Sequence, residues 1–372
     1  MAELVKALNK FAYETLGRTD VSSPTENTIF SPYSAFACVS MSTPLFKDQT
    51  RTEILKSLQI DESLDDVQVL TELKKLIDGE KTERVASSNR IWANQNLDFA
   101  EETFKKNSDV LGISIEKTNF PQPGCDKINT EVKEVTRGMI DKLVEESDVP
   151  ASTAIVLLNA VYFKSDWETK FDLEPQNDRL NFTDVTGTQH HVQMMRSMKR
   201  SIQFSQNADF LVASIPYTNK EYDFTIVLPI DKTQAGFEKL KGLTFDTLNT
   251  LLSQQTQQKC NLIIPKFKIE QKTFLNDVFD DLGMKKSFTG EAECTDPNVK
   301  YFVSSILQKA KIDVDENGTV AAAATGMMMR CMRMPLNPEP IHEVCADHPF
   351  IYLLRNSNTG AILFEGFVKL PK

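Results

Sequence analysis

The spacing of apolar residues predicts several helices along the 372 residues of the chain. In residues 2–16 apolar side chains recur every three or four positions, a period typical of an amphipathic helix. Ser31 followed by Pro32 is a typical helix start, and a helix is predicted from there through Met41. A third set of apolar residues at the same spacing predicts another long helix: Ile128, Val132, Val135, Met139 and Leu143. A fourth set predicts a helix closed by a glycine: Phe274, Val278, Leu282 and Gly283.

Strand patterns become more frequent towards the end of the chain. Residues 154–163 are almost continuously apolar and rich in β-formers, as expected of a buried central strand. Short strands are predicted at 224–228 and 262–264, each stopped by a proline, and another through Ile312 and Val314. Two final strands are predicted, with a turn between them: 350–354, 361–368 and the turn at 356–360. Helices first and strands later indicate an α+β fold rather than alternating βαβ units.

Composition and charge narrow the possible partners and compartments. The chain carries 42 Lys and Arg against 52 Asp and Glu, a net charge of −10, which argues against nucleic acid as a partner. No apolar run approaches the roughly 18–20 residues that span a bilayer. Lys6 and Lys10 interrupt what would be the apolar part of a secretory signal. We therefore expect no membrane span, and a protein that is cytoplasmic or released without a signal peptide.

The sequence contains no motif of a known catalytic, metal or nucleotide site. The six cysteines contain no C-x-x-C pair, which favours free thiols in a reducing compartment over zinc or redox sites. The sequence has no G-x-G-x-x-G, P-loop, H-E-x-x-H or G-x-S-x-G motif, and its four histidines lie at no familiar metal spacing. We expect no catalytic residues, no metal and no cofactor.

Residues 316–340, here called the loop segment, fit no regular pattern: ENGTVAAAATGMMMRCMRMPLNPEP. Four consecutive alanines are typical of a helix, and three methionines are typical of a core. However, Gly318 and Gly326 leave room for two helical turns at most, and the later prolines exclude regular structure. A long irregular segment of this kind indicates function or disorder.

With these residues the sequence resembles the serpins over nearly its whole length, and most of all the ovalbumin-type, intracellular branch, with a helminth member as one possible source. The matching segments follow the family's order: NTIFSPYS (27–34), SSNRIW (87–92), LLNAVYFKSDWETKFD (157–172), VQMM (192–195), IPY (215–217), IVLP (226–229), IIPKFKI (263–269), DLGM (281–284), ENGTVAAAAT (316–325) and ADHPFIYLLRNSNTGAILFEG (346–366).

The resemblance implies one domain over residues 1–372, with three β-sheets, eight or nine helices and an exposed reactive-centre loop at about 316–340. It also implies a suicide-substrate mechanism. A target serine protease cleaves the loop and forms an acyl-enzyme, and the cut loop then inserts as a new strand into the large sheet before the ester can be hydrolysed. The inhibitor supplies the bait and the stored free energy, but no catalysis.

The resemblance assigns a hinge at the start of this loop, formed by Glu316, Gly318, Thr319, Val320, Ala321, Ala322, Ala323 and Ala324. An inserting strand turns alternate side chains into the core, and small residues can enter without a clash or a buried charge. Val320 departs from the family, where glutamate is common, but this position is expected to face outward. Thr319 is expected to be the first hinge side chain to turn inward, from an exposed starting position.

Two further groups follow from the resemblance. A sheet-opening cluster corresponds to Ser31, Ser34, Asn159 and Gln308, with Gln308 in place of the family's histidine. Glutamine cannot titrate near neutral pH, so pH-sensitive opening is not expected. Trp167 and the pair of Glu316 and Lys266 are expected where the loop first enters the sheet. Their alternatives are a plain core tryptophan and a solvated strand end.

The reactive bond has two candidates. Counting the usual loop length from Glu316 leads to Met332, which fits an elastase-like or chymotrypsin-like pocket. Arg333, one residue later, fits the acidic pocket of a trypsin-like protease. We favour Arg333–Met334, with Met332–Arg333 as the alternative.

The expected partner is therefore a serine protease in a covalent acyl complex, with the inhibitor itself a monomer. Trypsin-like targets are favoured, and elastase-like ones are a second class. A non-inhibitory serpin acting as chaperone, carrier or storage protein is the alternative, and the small hinge residues argue against it.

Overall fold

The computed structural model describes residues 2–19, 23–99, 101–113, 115–173, 181–319 and 340–372. Within these ranges the chain forms nine α-helices: α1 (Ala2–Leu16), α2 (Pro32–Ser40), α3 (Asp48–Ser57), α4 (Asp66–Gly79), α5 (Lys105–Leu111), α6 (Gly124–Val135), α7 (Gln234–Lys241), α8 (Phe245–Ser253) and α9 (Asn276–Asp281).

The same ranges contain seventeen strands: β1 (Val85–Asn94), β2 (Glu116–Thr118), β3 (Ile155–Phe163), β4 (Ser165–Asp166), β5 (Asp172–Leu173), β6 (Asn181–Thr183), β7 (Gln189–His191), β8 (Met194–Gln206), β9 (Phe210–Pro216), β10 (Tyr222–Pro229), β11 (Thr256–Pro265), β12 (Phe267–Phe274), β13 (Val303–Val314), β14 (Gly318–Thr319), β15 (Ile341–Cys345), β16 (Phe350–Asn356) and β17 (Ile362–Val368).

These strands build a seven-stranded, an eight-stranded and a two-stranded sheet. The order in the seven-stranded sheet is β2-β1-β3-β13-β14-β4, and β12 also pairs with β13. The eight-stranded sheet follows β15-β11-β8-β9-β10-β16-β17, with β5 added on β8. The predicted α+β fold, with three sheets and eight or nine helices, is confirmed.

The predicted central strand is β3, and all nine of its residues are buried. Its side chains alternate between two apolar layers. Leu157 and Val161 lie in the main core, which contains the side chains of α2. Val156 and Leu158 lie on the other face, in a cluster with the apolar side of α6. Because helices cover both faces, β3 needs no polar side and reads as a continuous apolar run.

The prediction of one long helix through Leu143 is wrong, because α6 ends at Val135. Arg137 and Gly138 both have left-handed backbone, with φ of 55° and 75°. The Gly138 amide donates to the Lys133 carbonyl at 2.7 Å, which closes the helix. The later apolar residue Leu143 nevertheless contacts the same cluster as α6, so the helical spacing came from a shared apolar face rather than from one helix.

The remaining predicted elements differ mainly at their ends. Strands β10 and β11 do end at the predicted prolines, but they begin earlier, at Tyr222 and Thr256. The polar start of β11 forms a strand because it pairs with β8 on one side and β15 on the other. The last predicted helix begins at Asn276, and Phe274 instead ends β12.

A buried carboxyl group joins the end of α4 to the eight-stranded sheet. Glu80 is 2 % exposed and accepts hydrogen bonds from Tyr222 Oη at 3.0 Å and Asn356 Nδ2 at 2.8 Å. Burial raises the pKa of Glu80 to about 7, although the two hydrogen bonds oppose this shift. The folded protein therefore retains the proton at pH values where the unfolded chain has lost it.

This raised pKa predicts the effect of Glu80→Gln on stability. Stability from the protonated group is fully present below the unfolded pKa, near 4.5, and is lost as pH rises through the folded pKa near 7. Relative to wild type, the free energy of unfolding of Glu80→Gln should increase by on the order of 2 kcal/mol from about pH 5 to about pH 7. Urea unfolding at both pH values measures this change. Glu238→Gln, at an exposed glutamate of α7, is the matched control, and an equal change in that variant would contradict the prediction.

Candidate site of loop insertion

The described part of the loop segment begins inside the seven-stranded sheet. Thr319 in β14 pairs with Val314 of β13 on one side and Ser165 of β4 on the other. A tight turn precedes it, in which Asp315 Oδ1 accepts from the amides of Asn317 and Gly318 at 2.7 and 3.1 Å. The first two residues of β14 therefore already occupy a position between two strands.

Gly318 is required at this position. A Cβ atom built on Gly318 would lie 2.2 Å from the carbonyl oxygen of Ser165 and 2.6 Å from the Cα of Asp166. Both contacts are with backbone, which cannot move aside without breaking the pairing of β14 with β4. Glycine thus permits the close approach of the two strands.

Thr319 is fully buried, and the expectation that it starts exposed is wrong. Its Oγ1 lies 2.6 Å from Tyr217 Oη, and both residues have no exposed surface. Burial raises the pKa of Tyr217 far above its usual range, so the hydroxyl stays protonated. The hinge is therefore already anchored in the core by one buried hydrogen bond.

Trp167 lies beneath this anchor. Its ring stacks on Tyr217 with centroids 4.5 Å apart and an interplanar angle of 10°. Its Nε1 donates to the Asp315 carbonyl at 2.8 Å, and its amide donates to the Asn317 carbonyl at 2.9 Å. Trp167 is 2 % exposed, but it also holds the turn that leads into β14, so it is more than a core residue.

Lys266 and Glu316 meet at the same end of the sheet. Lys266 Nζ lies 2.7 Å from Glu316 Oε2, and the two side chains are 29 % and 25 % exposed. Partial burial alone would raise the pKa of Glu316, but the Lys266 ammonium lowers it below its ordinary value. A partly exposed pair of this kind contributes at most about 1 kcal/mol, so its main effect is to orient the turn.

The space that an inserted strand would need is closed. Strands β3 and β13 pair directly and in parallel, with Leu157 opposite Ile306 and Tyr162 opposite Lys311. The connection after α6 lies over this pair and is tied to β13, because Lys309 Nζ donates to the Lys142 carbonyl at 2.9 Å and Lys311 Nζ to the Met139 carbonyl at 3.2 Å. Separating β3 from β13 would disturb both layers.

Below the β3–β13 pair, Gln308 and Ser31 form a closed two-bond contact. Gln308 Oε1 accepts from the Ser31 amide at 2.8 Å, and Gln308 Nε2 donates to the Ser31 carbonyl at 2.9 Å. Ser31 also caps α2, with its Oγ accepting from the Ser34 amide at 3.2 Å. An uncharged amide serves both bonds at once, which a single histidine ring in this place could not do.

The structure adds Asn89 to this cluster. Ser34 Oγ donates to Asn89 Oδ1 at 2.8 Å. Asn89, Asn159 and Gln308 stand side by side on neighbouring strands. Asn89 lies in the segment SSNRIW, which the sequence analysis used only as a family motif, and its polar neighbours in the sequence give no signal that it is buried in this cluster.

Asn159 is the weak point of the cluster. It is fully buried, and neither of its amide atoms has a hydrogen-bond partner among the described residues. A buried unsatisfied group typically costs about 1–3 kcal/mol. The closed arrangement of β3 and β13 is thus less than fully satisfied at this residue.

Several predicted site residues lie outside the part of the chain that the structure describes. Val320, Ala321–Ala324, Met332, Arg333 and Met334 lie outside the described residues. In the described ranges no group of three His, Cys, Asp or Glu side chains could hold a metal ion. No helix in the same ranges is long and apolar enough to cross a bilayer.

Comparison with known proteins identifies the family. A sequence model described as Serpin (serine protease inhibitor) matches residues 6–371, and the chain belongs to the serpin family. The family consists of protease inhibitors rather than enzymes. The recognition made from the sequence motifs is confirmed.

Relatives and solved structures agree with this assignment. The chain is 34 % identical to Iripin-2 of Ixodes ricinus, over 99 % of this chain and 93 % of that protein. It is 29 % identical to leukocyte elastase inhibitor A of Rattus norvegicus, over the full length of both. Among solved structures, native tengpin, a thermophilic serpin, matches with a TM-score of 0.85 and 25 % identity over 99 % of this chain and 94 % of that one. Serpin48 of Tenebrio molitor matches with a TM-score of 0.83 and 26 % identity, over 100 % and 98 %.

The Gln308–Ser31 contact predicts how pH acts on sheet opening. In Gln308→His, protonation near neutral pH would leave the ring with donors only, so it could no longer accept from the Ser31 amide. Loss of a hydrogen bond of about 1 kcal/mol should speed insertion of a synthetic peptide of residues 319–330 by roughly fivefold at low pH. Insertion rates at pH 5.5 and 8, each taken relative to wild type, measure this. Gln308→Asn, which shortens the amide without adding a titrating group, should show no such dependence; equal pH profiles for the two variants would refute the prediction.

Proposed function

We propose that this serpin inhibits serine proteases by a suicide-substrate mechanism in which the loop segment inserts between β3 and β13. The observation that carries the proposal is the position of β14. Gly318 and Thr319 already pair with β13 and β4 at one end of the seven-stranded sheet, while β3 and β13 still pair directly with each other. An inserting strand would continue from this point in the direction that the hinge already follows.

The proposed reaction requires nothing catalytic from the inhibitor. The protease serine attacks the carbonyl carbon of the residue before the reactive bond, the peptide bond breaks, and the new amino terminus leaves. The ester that remains joins the protease to the hinge side of the loop. If residues 320 onward then enter between β3 and β13, the protease is carried along the sheet before water hydrolyses the ester.

The residues of the hinge support insertion energetically. After Thr319 the sequence continues with Val320 and four alanines, none of which would bring a charge or a large polar group into the core. Each new strand residue would gain ladder hydrogen bonds to both neighbours, and the unsatisfied amide of Asn159 lies along the path. Charged, bulky or proline residues in the hinge would favour a non-inhibitory role, and none is present in residues 318–324.

The strand that follows the loop segment supports the proposal that this segment is an exposed loop anchored in a sheet at each end. Strand β15 pairs in parallel with β11, from Ile341 opposite Lys259 to Cys345 opposite Ile263. The segment between β14 and β15 therefore starts in one sheet and ends in another. We propose that it presents Arg333–Met334 to trypsin-like proteases, with Met332–Arg333 as a second bond for elastase-like ones, and that residues 1–372 act as one monomeric domain.

We also propose that the protein works in a reducing compartment such as the cytoplasm. The five cysteines in the described ranges are all free thiols. Burial raises the pKa of Cys38 to about 12 and that of Cys260 to about 11, which leaves both as unreactive thiols. A glycan on the exposed Asn181 of the native protein, detected by mass spectrometry, would contradict this proposal.

The reactive bond is tested by Arg333→Ala. This variant should lose the covalent complex with trypsin, because the acidic pocket of trypsin-like proteases requires a basic residue before the bond. A denaturing gel after incubation with trypsin or with an elastase measures the complex. Met332→Ala is the matched control, and it should keep the trypsin complex and weaken the elastase complex. An undiminished trypsin complex in Arg333→Ala would exclude this bond, and clean cleavage of the wild type without any complex would exclude inhibition.

Insertion itself is tested at Thr319. Since this side chain is already buried against Tyr217, Thr319→Arg should destabilise the native protein as well as block insertion, by a buried-charge cost on the order of several kcal/mol. The variant should unfold at a lower temperature and be cleaved as a substrate. Thr319→Val keeps the shape and removes the hydroxyl, so it should lose only about 1 kcal/mol and remain an inhibitor. Thermal unfolding and stoichiometry of inhibition separate the two effects; a Thr319→Arg protein that traps trypsin with wild-type stoichiometry would overturn the insertion mechanism.

A further inference from the structure

A cleft of about 520 Å³ opens on the eight-stranded sheet. Strands β8, β9, β10 and β16 and the end of α8 contribute to its walls. Three glutamine side chains line it, together with the apolar side chains of Ile202 and Leu252 and the guanidinium of Arg355: Gln203, Gln255 and Gln257. The volume lies in the range of small-molecule sites.

The side chain of Arg355 has no hydrogen bond or ion pair with any described residue. Its side chain is half-buried, and its Nε atom is buried without a partner. Buried donors in folded proteins nearly always have an acceptor. A guanidinium that lines a cleft without a protein partner is suited to pair with an anionic group.

The nearest candidate counterion is engaged elsewhere. Asp223 stands opposite Arg355 on the neighbouring strand. Its Oδ1 accepts from Thr225 Oγ1 at 2.6 Å, and its Oδ2 accepts from Ser357 Oγ at 3.0 Å. Since Thr225 donates to the carboxylate, it must accept from Ser214 Oγ, which lies 2.7 Å away. Asp223 is thus held by a fixed series of hydroxyl groups.

The other charges of the cleft are paired with each other. Lys220 Nζ lies 3.0 Å from Glu168 Oε1, and both residues line the cleft. Arg355 is therefore the one cleft-lining charge without a partner in the described part of the chain. Gln255 Nε2 can donate to Ser214 Oγ at 3.0 Å, which leaves its carbonyl oxygen available as an acceptor.

We propose that this cleft binds a small peptide-like carboxylate. The carboxylate would pair with Arg355, an amide group would exchange hydrogen bonds with the glutamine side chains, and a short aliphatic group would contact Ile202 and Leu252. A carboxylate can pair with the guanidinium of Arg355 in a bidentate geometry that a neutral ligand cannot offer. The site is separate from the loop segment, and the inference does not rest on protease inhibition.

The test uses N-acetyl-L-leucine, with N-acetyl-L-leucinamide as the uncharged probe of nearly the same shape. The side-chain Nε–H signal of Arg355 in ¹⁵N NMR spectra of the full-length protein reports binding directly. The acid should shift this signal saturably, and it should bind at least tenfold more tightly than the amide. Arg355→Gln should weaken binding of the acid by at least tenfold.

Arg84→Gln is the matched control, because Arg84 pairs with Glu221 and does not line the cleft. It should bind the acid as the wild type does. Equal binding of acid and amide, no saturable shift of the Arg355 signal, or equal loss in the two variants would each overturn the proposal. The comparison of the two probes on the wild type decides the question even if Arg355→Gln fails to fold.

Discussion

The direct parallel pairing of β3 with β13 is the constraint on which the rest of this structure depends. Each of these strands already has a partner on both edges, because β3 pairs with β1 and β13, and β13 pairs with β3 and β12. A further strand can only enter edgewise, from the end where β14 already lies. The contacts of Gln308 with Ser31 on one face of the pair, and of Lys309 and Lys311 with the connection after α6 on the other, would have to change if β3 and β13 separated.

The two ends of this pair are held in different ways. Where β14 enters, the contacts are specific and buried: the hydroxyl groups of Thr319 and Tyr217 meet, Tyr217 stacks on Trp167, and Trp167 holds the preceding turn. Further along, Gln308 is fully satisfied by Ser31 while its neighbour Asn159 is not. The pair is therefore held by buried, specific contacts where β14 enters and by an incompletely satisfied polar layer at Asn159, six residues further along β13.

Polar groups buried away from the seven-stranded sheet follow a different pattern. Glu80 accepts hydrogen bonds from two donors, and burial raises its pKa so that it holds its proton more readily. The Nε of Arg355, in contrast, has no acceptor among the described residues, and the side chain keeps its charge beside an open cleft. The first group fixes α4 against the eight-stranded sheet, and burial together with the nearby negative charge of Glu221 favours its neutral form. An arginine cannot lose its proton in this way, and the Arg355 Nε has no acceptor among the described residues.

The sequence alone determined the class of this protein and most of its elements. Apolar spacing located α1, the Ser31–Pro32 start located α2, and apolar strand patterns located β3 and the final pair β16 and β17, because each of these signals lies in neighbouring residues. Ordered motifs along the chain identified the serpin family, and they assigned Gln308, Trp167 and Lys266 before any distance was known. Only the tertiary structure decided that α6 stops at Val135, that Thr319 is already buried, that Asn89 joins the cluster and that Arg355 lacks a partner. The end of α6 depends on the left-handed backbone at Arg137 and Gly138, which the apolar spacing does not reveal. The burial of Thr319 and the place of Asn89 depend on contacts between residues far apart in sequence, Tyr217 with Thr319 and Ser34 with Asn89, which no local pattern predicts.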